Sequence, residues 1–208
     1  MNVWFTARGA GLSALILLTL SICIGALMSR HGTASRRYIV QYLHRVTSSL
    51  GIAVLVLHIA TILADSYAHV GWRGALIPFT SGYRPTWVAL GSLAAYTFIG
   101  VAVLGMARGR MAATPRGARI WRGLHGMAYA GWASAMLHGY NSGADTSVSW
   151  VRAIYLACIF AVLASVGVRV ARVRRAKGDR FAHVATARPV DSRPPLHHPP
   201  ARAQGASR

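Results

Sequence analysis

Glutamate is absent from the 208 residues, and the acidic complement is four Asp. Paired-carboxylate acid–base catalysis therefore has almost no raw material. Lysine occurs once, at Lys177. Charged residues make up 13% of the chain, about half the usual share. The two cysteines, Cys23 and Cys158, both lie inside apolar runs, which argues against a secreted disulfide framework. No Gly-rich dinucleotide fingerprint is present. These shortages exclude the usual compositions of soluble enzymes, disulfide scaffolds and disordered proteins. What is abundant is apolar surface, 54% of residues with a mean hydropathy of +0.39. Arginine is abundant too, and the net charge is +19. A chain both oily and basic must keep the two properties apart.

Five stretches are apolar enough to cross a bilayer core as helices: 12–28, 39–63, 87–106, 120–138 and 150–170. The first could be mistaken for a signal peptide. Its charged flank is thin (only Arg8) and no clean cleavage site follows, so it reads as a retained span preceded by a short outer N-terminus, 1–11. Basic residues set the orientation. Arg30, Arg36, Arg37 and Arg45 fall on one side, with the five arginines from Arg108 to Arg122 and the whole basic C-terminus. The other side holds Arg8, Arg73, Arg84 and Arg152. The positive-inside rule then predicts an outer N-terminus and a cytoplasmic C-terminus. Residues 171–208 are rich in Pro, Arg and His, and read as a disordered cytoplasmic tail whose first part lies on anionic lipid. Orientation and lipid contact account for the positive charge, so no nucleic-acid partner is expected.

Four of the nine histidines lie inside spans: His44 and His58 in the second, His125 and His138 in the fourth. Ionisable residues in membrane helices are costly and usually functional. Each pair is separated by roughly 20 Å of helix, one imidazole near each membrane face. The two helices run in the same direction, so His44 and His125 share the inner level and His58 and His138 the outer one. Two imidazoles facing across a gap can hold a b-type haem by both axial positions, and two such sites form an electron path through the bilayer. The azimuths of the second span agree, since 14 steps leave His58 about 40° from His44. Those of the fourth do not, because 13 steps put His138 about 140° from His125 on an ideal helix. That span must deviate, and Gly126 and Gly131 lie where it can.

Small residues between the histidines (Ser48, Ser49 and Gly51; Gly126, Gly131, Ala133 and Ser134) fit either a porphyrin slot or ordinary helix packing. Propionates at the inner face would suit Arg45 or Arg122, and at the outer face Arg84 or Arg152, with Arg73 less suited. Positive-inside placement competes for Arg45 and Arg122. Arg152 lies just within a span on the outer side, where charge is less expected. Trp132, Tyr129, Tyr96 and Phe98 could shape the space between haems, while Trp72, Trp87 and Trp150 read as interfacial residues. His31, His69, His183, His197 and His198 read as solvated. The histidines also admit other classes: a proton- or metal-handling membrane protein without haem, or a non-catalytic scaffold whose imidazoles bond neighbouring helices.

The segments YLHRVTSSLGIAVLVLHIAT (42–61) and WRGLHGMAYAGWASAMLHGY (121–140) resemble the ferric reductase-like transmembrane domain family. That family includes the membrane parts of ferric reductases and NADPH oxidases and the haem subunit of periplasmic methionine sulfoxide reductase. The resemblance covers roughly residues 12–170. It implies an all-α bundle with two bis-His b-type haems, an inner one on His44 and His125 and an outer one on His58 and His138. It also implies electron flow outward from the cytoplasmic side of a bacterial-type inner membrane. The family core usually has six spans, against five here. Many members append flavin and nicotinamide domains, for which residues 171–208 are too short. No flavin or NAD(P) site is therefore expected in this chain. The donor is expected to be a separate flavoprotein reductase, free flavin or quinol, and the acceptor a small molecule or partner enzyme at the outer face.

Overall fold

The computed structural model describes residues 2–28, 33–65 and 70–186. Among the described residues there are eight helices and no strand: α1 (Asn2–Leu27), α2 (Ala34–Ala64), α3 (Gly71–Leu76), α4 (Pro85–Met106), α5 (Arg108–Met111), α6 (Pro115–His125), α7 (Ala128–Ser142) and α8 (Ser149–Thr186). Local chemistry starts several of them. Thr33 caps α2 by accepting from the Arg36 N–H, and Thr114 caps α6 by accepting from the Gly117 N–H. Proline opens α4 and α6 at Pro85 and Pro115, where its missing N–H leaves no helix bond unmade. The chain divides into two compact units, Met1–Ala171 and Arg172–Arg208. The second is described only to Thr186, as helix.

The larger unit is built from two antiparallel hairpins. In the first, α1 packs along α2. Ala7 and Gly11 meet His58, Leu18 meets Gly51, and Ser21 and Gly25 meet His44. In the second, α4 packs along α6 and α7. Trp87 and Gly91 meet His138, Leu90 meets Ser134, Thr97 meets Gly131, and Leu104 meets Trp121. The hairpins join through a core of Leu18, Ile22, Ala94 and Phe98. Within this unit α8 lays the stripe Val151, Tyr155 and Cys158 against Leu15 of α1 and Met136 of α7. Its 4-then-3 spacing is that of one helix face. The opposite face stays apolar, with Phe160 75% exposed and Leu156 66%. Water would not tolerate that surface; lipid tails do.

Four helices are long and apolar enough to cross a membrane: Val3–Leu27, Ala34–Ala64, Pro85–Met106 and Ser149–Ala176. The chain is thus an all-helical, membrane-embedded, multi-pass protein. The stretch read as the fourth span is different. It breaks at Gly126–Met127 into α6 and α7, and neither piece alone is long enough to span. Two boundaries also shift. Residues 2–11, read as an outer N-terminus, begin α1. Arg8 ended the apolar run in sequence, but its guanidinium is ion-paired with Asp145 and lies 4.0 Å from the Trp4 ring centre, so the helix tolerates it. At the other end α8 continues past residue 170 to Thr186, where disorder was expected. An arginine-rich sequence with no Pro keeps high helix propensity even without a core to join. The Pro-rich part of the tail, 187–208, lies outside the described residues, as do Arg30, His31 and His69. The described part of the connection between α2 and α4, residues 70–84, is folded against α4. Ser92 Oγ donates to the Ala75 carbonyl and Thr80 Oγ1 to that of Arg73, which ties α3 to the start of α4.

Candidate functional site: two histidine pairs

The four span histidines are brought together in two pairs. The ring centres of His44 and His125 are 6.3 Å apart, and those of His58 and His138 are 6.4 Å apart. The ring planes cross at 69° and 70° respectively. All four rings are half-buried. The helices that carry them are not packed on each other: α2 leans on α1, and α6 and α7 lean on α4. The imidazoles therefore face each other across the seam between the hairpins.

One local device seats each ring. His58 Nδ1 bonds the Ala7 carbonyl at 2.7 Å, His44 Nδ1 that of Ser21 at 2.9 Å, and His138 Nδ1 that of Trp87 at 2.8 Å. A helix carbonyl already accepts from the N–H four residues on, and the side chain at that later position covers its free lone pair. Here that later residue is glycine each time: Gly11, Gly25 and Gly91. A Cβ there would stand 2.9, 3.2 and 2.7 Å from the respective histidine Cε1. The missing side chain makes a notch through which the ring reaches the carbonyl. The fourth notch pairs Val101 with Gly105, at the same four-residue offset. It is looser: a Cβ on Gly105 would lie 3.9 Å from His125 Cε1. The Val101 carbonyl faces His125, but Nδ1 does not reach hydrogen-bond geometry with any acceptor.

Engaging Nδ1 as the donor leaves Nε2 as the lone-pair nitrogen, directed away from the notch. This is the usual arrangement of a metal-binding histidine, in which a bond to the second nitrogen fixes tautomer and ring orientation. Two imidazoles on one first-row metal, with bonds of about 2.0 Å and ring centres about 1.1 Å behind the nitrogens, should lie about 6.2 Å apart. Both pairs have that spacing. The residues present thus fit a bis-His iron site at each level. Among the described residues no group of three or more His, Cys, Asp or Glu side chains is placed to hold a metal ion by itself.

The break in the fourth span helps both of its histidines face α2. The Met127 N–H donates to the Leu124 carbonyl (3.0 Å) and the Tyr129 N–H to that of Gly126 (3.1 Å), both three-residue steps. A 3₁₀ step advances about 120° instead of 100°. Two such steps rotate α7 relative to α6 by about 40° in the sense that reduces the 140° misalignment of an ideal helix. The small residues serve packing within each hairpin. A Cβ on Gly51 would meet Leu18, and one on Gly131 would meet Thr97, each at 2.9 Å. Ser48 Oγ bonds Ser21 Oγ, and Ser134 Oγ bonds the Leu90 carbonyl. These four make their contacts within their own hairpins. Trp132, expected between the two levels, donates its indole N–H to Thr19 Oγ1 at 2.9 Å and so ties α7 to α1.

Of the four expected arginines, Arg84 is the one joined to a histidine neighbourhood. Its guanidinium donates to the Asn141 carbonyl, and the adjacent Tyr83 hydroxyl donates to that of Ser142. Ser142 Oγ in turn lies 3.4 Å from His138 Nδ1. Arg45 is exposed beside a shallow pocket lined by Tyr38, Gln41 and Tyr42. Arg122 is exposed on α6, and Arg152 on α8 off the buried stripe. No described contact joins these three to a histidine pair. Sequence reasoning missed Arg108 and Trp121. The Trp121 ring stacks on His125 with centres 4.8 Å apart and planes at 16°, and the Arg108 guanidinium lies 5.3 Å from the Trp121 centre. It also missed the notch glycines, whose signal was available: Gly11–Gly25 and Gly91–Gly105 repeat the 14-residue interval of His44–His58.

Compared with protein-family models, with curated proteins and with solved structures, the chain matches none.

Proposed function

We propose that this protein carries electrons across a membrane through two b-type haems, an inner one held by His44 and His125 and an outer one held by His58 and His138. The observation that carries the reading is the spacing of the two pairs, 6.3 and 6.4 Å between ring centres, which suits one iron between each pair of imidazoles. The haem supplies one-electron redox chemistry; the chain supplies ligation, spacing and a low-dielectric surround. Three of the four rings have Nδ1 fixed by a backbone carbonyl, so they offer Nε2 without reorganising. The scaffold alternative, imidazoles that bond neighbouring helices, is met by three of the rings, whose Nδ1 bonds reach α1 or α4; what it leaves without a reason is the facing of the rings in two pairs at 6.3 and 6.4 Å. No hydrogen bond joins the rings of either pair among the described residues, and their Nδ1 bonds go to helices of their own hairpins.

In the same proposal α6 and α7 together make a fifth passage antiparallel to α4, which puts the N-terminus outside and the C-terminus in the cytoplasm of a bacterial-type inner membrane. The chain is then the electron-transfer membrane component of an oxidoreductase, kin to the ferric reductase-like family through residues 42–61 and 121–140. A separate flavoprotein, free flavin or quinol supplies electrons, and a small acceptor or partner enzyme removes them at the outer face. The test is direct. Protein purified after expression with ample haem supply should be red, with a Soret band and a sharp reduced α-band. His44→Ala and His138→Ala should each lower haem content. A colourless, haem-free protein would favour proton or metal handling by the histidines, or a scaffold.

A further inference from the structure

The two sites are not built alike. At the outer site both imidazoles donate to carbonyls, at 2.7 and 2.8 Å, and both sit in tight glycine notches. At the inner site only His44 is so bonded. His125 Nδ1 faces the Val101 carbonyl without reaching hydrogen-bond geometry, in a looser notch. Its ring is instead held flat against Trp121, which is fixed by its indole N–H donating to the Leu104 carbonyl at 2.8 Å. Arg108 lies by the same indole, two steps of 5.3 and 4.8 Å away, and so at most about 10 Å from the His125 ring. The second pair stands 14 residues further along α2, roughly 20 Å away at the helical rise.

We propose that the Arg108–Trp121–His125 stack makes the inner site the higher-potential one of the two. This rests on the haem reading given above. Two effects act in the same direction. A hydrogen bond from Nδ1 to a carbonyl makes an imidazole a more basic ligand, which favours the oxidised metal. His125 lacks that bond, so the inner metal is held by a weaker donor. A nearby guanidinium favours the state with one more electron; Arg108 stands at the inner pair through the Trp121 stack, whereas the outer pair's own guanidinium, Arg84, is turned to the Asn141 carbonyl. Trp121 is the positioning residue: it replaces the missing hydrogen bond as the restraint on ring orientation. The consequence is that electrons entering from the cytoplasmic side rest at the inner site until an outer acceptor draws them on.

The experiment is a potentiometric titration of the full, haem-loaded protein, followed in the reduced α-band. Two one-electron steps are expected. Arg108→Gln should lower the higher step alone, shifting its equilibrium by about tenfold at an effective dielectric of about 20 and a separation of about 10–13 Å; tenfold is about 59 mV. Arg108→Lys should keep that step in place. Arg84→Gln, at the opposite end, should move only the lower step. Arg108 is exposed, so its loss should leave the fold intact. If Arg108→Gln moves the lower step or neither, while both haems remain bound, the inference falls and the haem reading stands. If no haem is bound, both fall.

Discussion

The tightest steric test of the site is Gly91→Ala. The added Cβ would stand 2.7 Å from both Cε1 and Nδ1 of His138. Carbon atoms settle at about 3.5–4.0 Å, so the ring must retreat by roughly 1 Å. It cannot do so and keep its 2.8 Å bond to the Trp87 carbonyl. Breaking that bond, with only the longer Ser142 Oγ contact left at Nδ1, costs about 1 kcal/mol, offset by about 1 kcal/mol of helix propensity gained from alanine. Global stability should therefore change little. Ligation should suffer more, because loss of the group that orients a metal-bound histidine typically weakens binding about 10- to 100-fold. The control is built into the chain. Gly105→Ala places its Cβ 3.9 Å from His125 Cε1, an ordinary contact, and should leave haem binding unchanged. The assay is haem per protein by reduced-minus-oxidised difference spectra, with melting followed in the same detergent. Gly91→Ala should lose the outer haem and keep the inner one. A Gly91→Ala protein with a full complement and an unaltered spectrum would refute the notch.

Other outcomes follow from the same geometry. In the proposed reading, ring planes crossed at 69° and 70° would leave the π orbitals of a bound iron nearly degenerate, so haem-loaded ferric protein should give strongly anisotropic low-spin EPR signals; a rhombic spectrum of parallel-ring type would contradict the crossing. Trp132→Phe removes the indole bond to Thr19 and should cost about 1 kcal/mol in thermal unfolding without loss of haem. A double-mutant cycle on Arg8 and Asp145 should give a coupling below about 1 kcal/mol, since the carboxylate is 46% exposed. A larger coupling would mean that the pair is more desolvated than its exposure implies.

The histidine pairs were legible in sequence because a membrane helix is nearly one-dimensional: an interval in residues converts directly to a height. The height argument paired His44 with His125 and His58 with His138, as the ring distances do. Azimuth was less legible. The ideal-helix rule put His138 on the wrong face, and a pair of three-residue steps at Gly126–Met127 that no hydropathy window detects recovers about 40° of the 140°. The roles of Gly51 and Gly131 could not be assigned, since small residues serve a slot and a helix contact equally well until a neighbour is seen. Arg108 was hidden for a different reason. It was counted with the arginines that set orientation, and only the fold brings its guanidinium to the indole of Trp121. The end of α8 was misplaced because apolarity was taken as the signal for helix, whereas the arginine-rich continuation to Thr186 remains helical without it.

The two hairpins share one plan, a first helix bearing carbonyl and glycine twice at 14-residue spacing and a second helix bearing the rings. Each hairpin therefore owns half of both coordination spheres and the whole of neither. In the proposed reading, colour develops only after both halves have met in correct register, so pigment capture acts as a checkpoint on assembly. Separately expressed fragments split between α2 and α4 would each remain pale, and mixing them in one bilayer would report their union by eye.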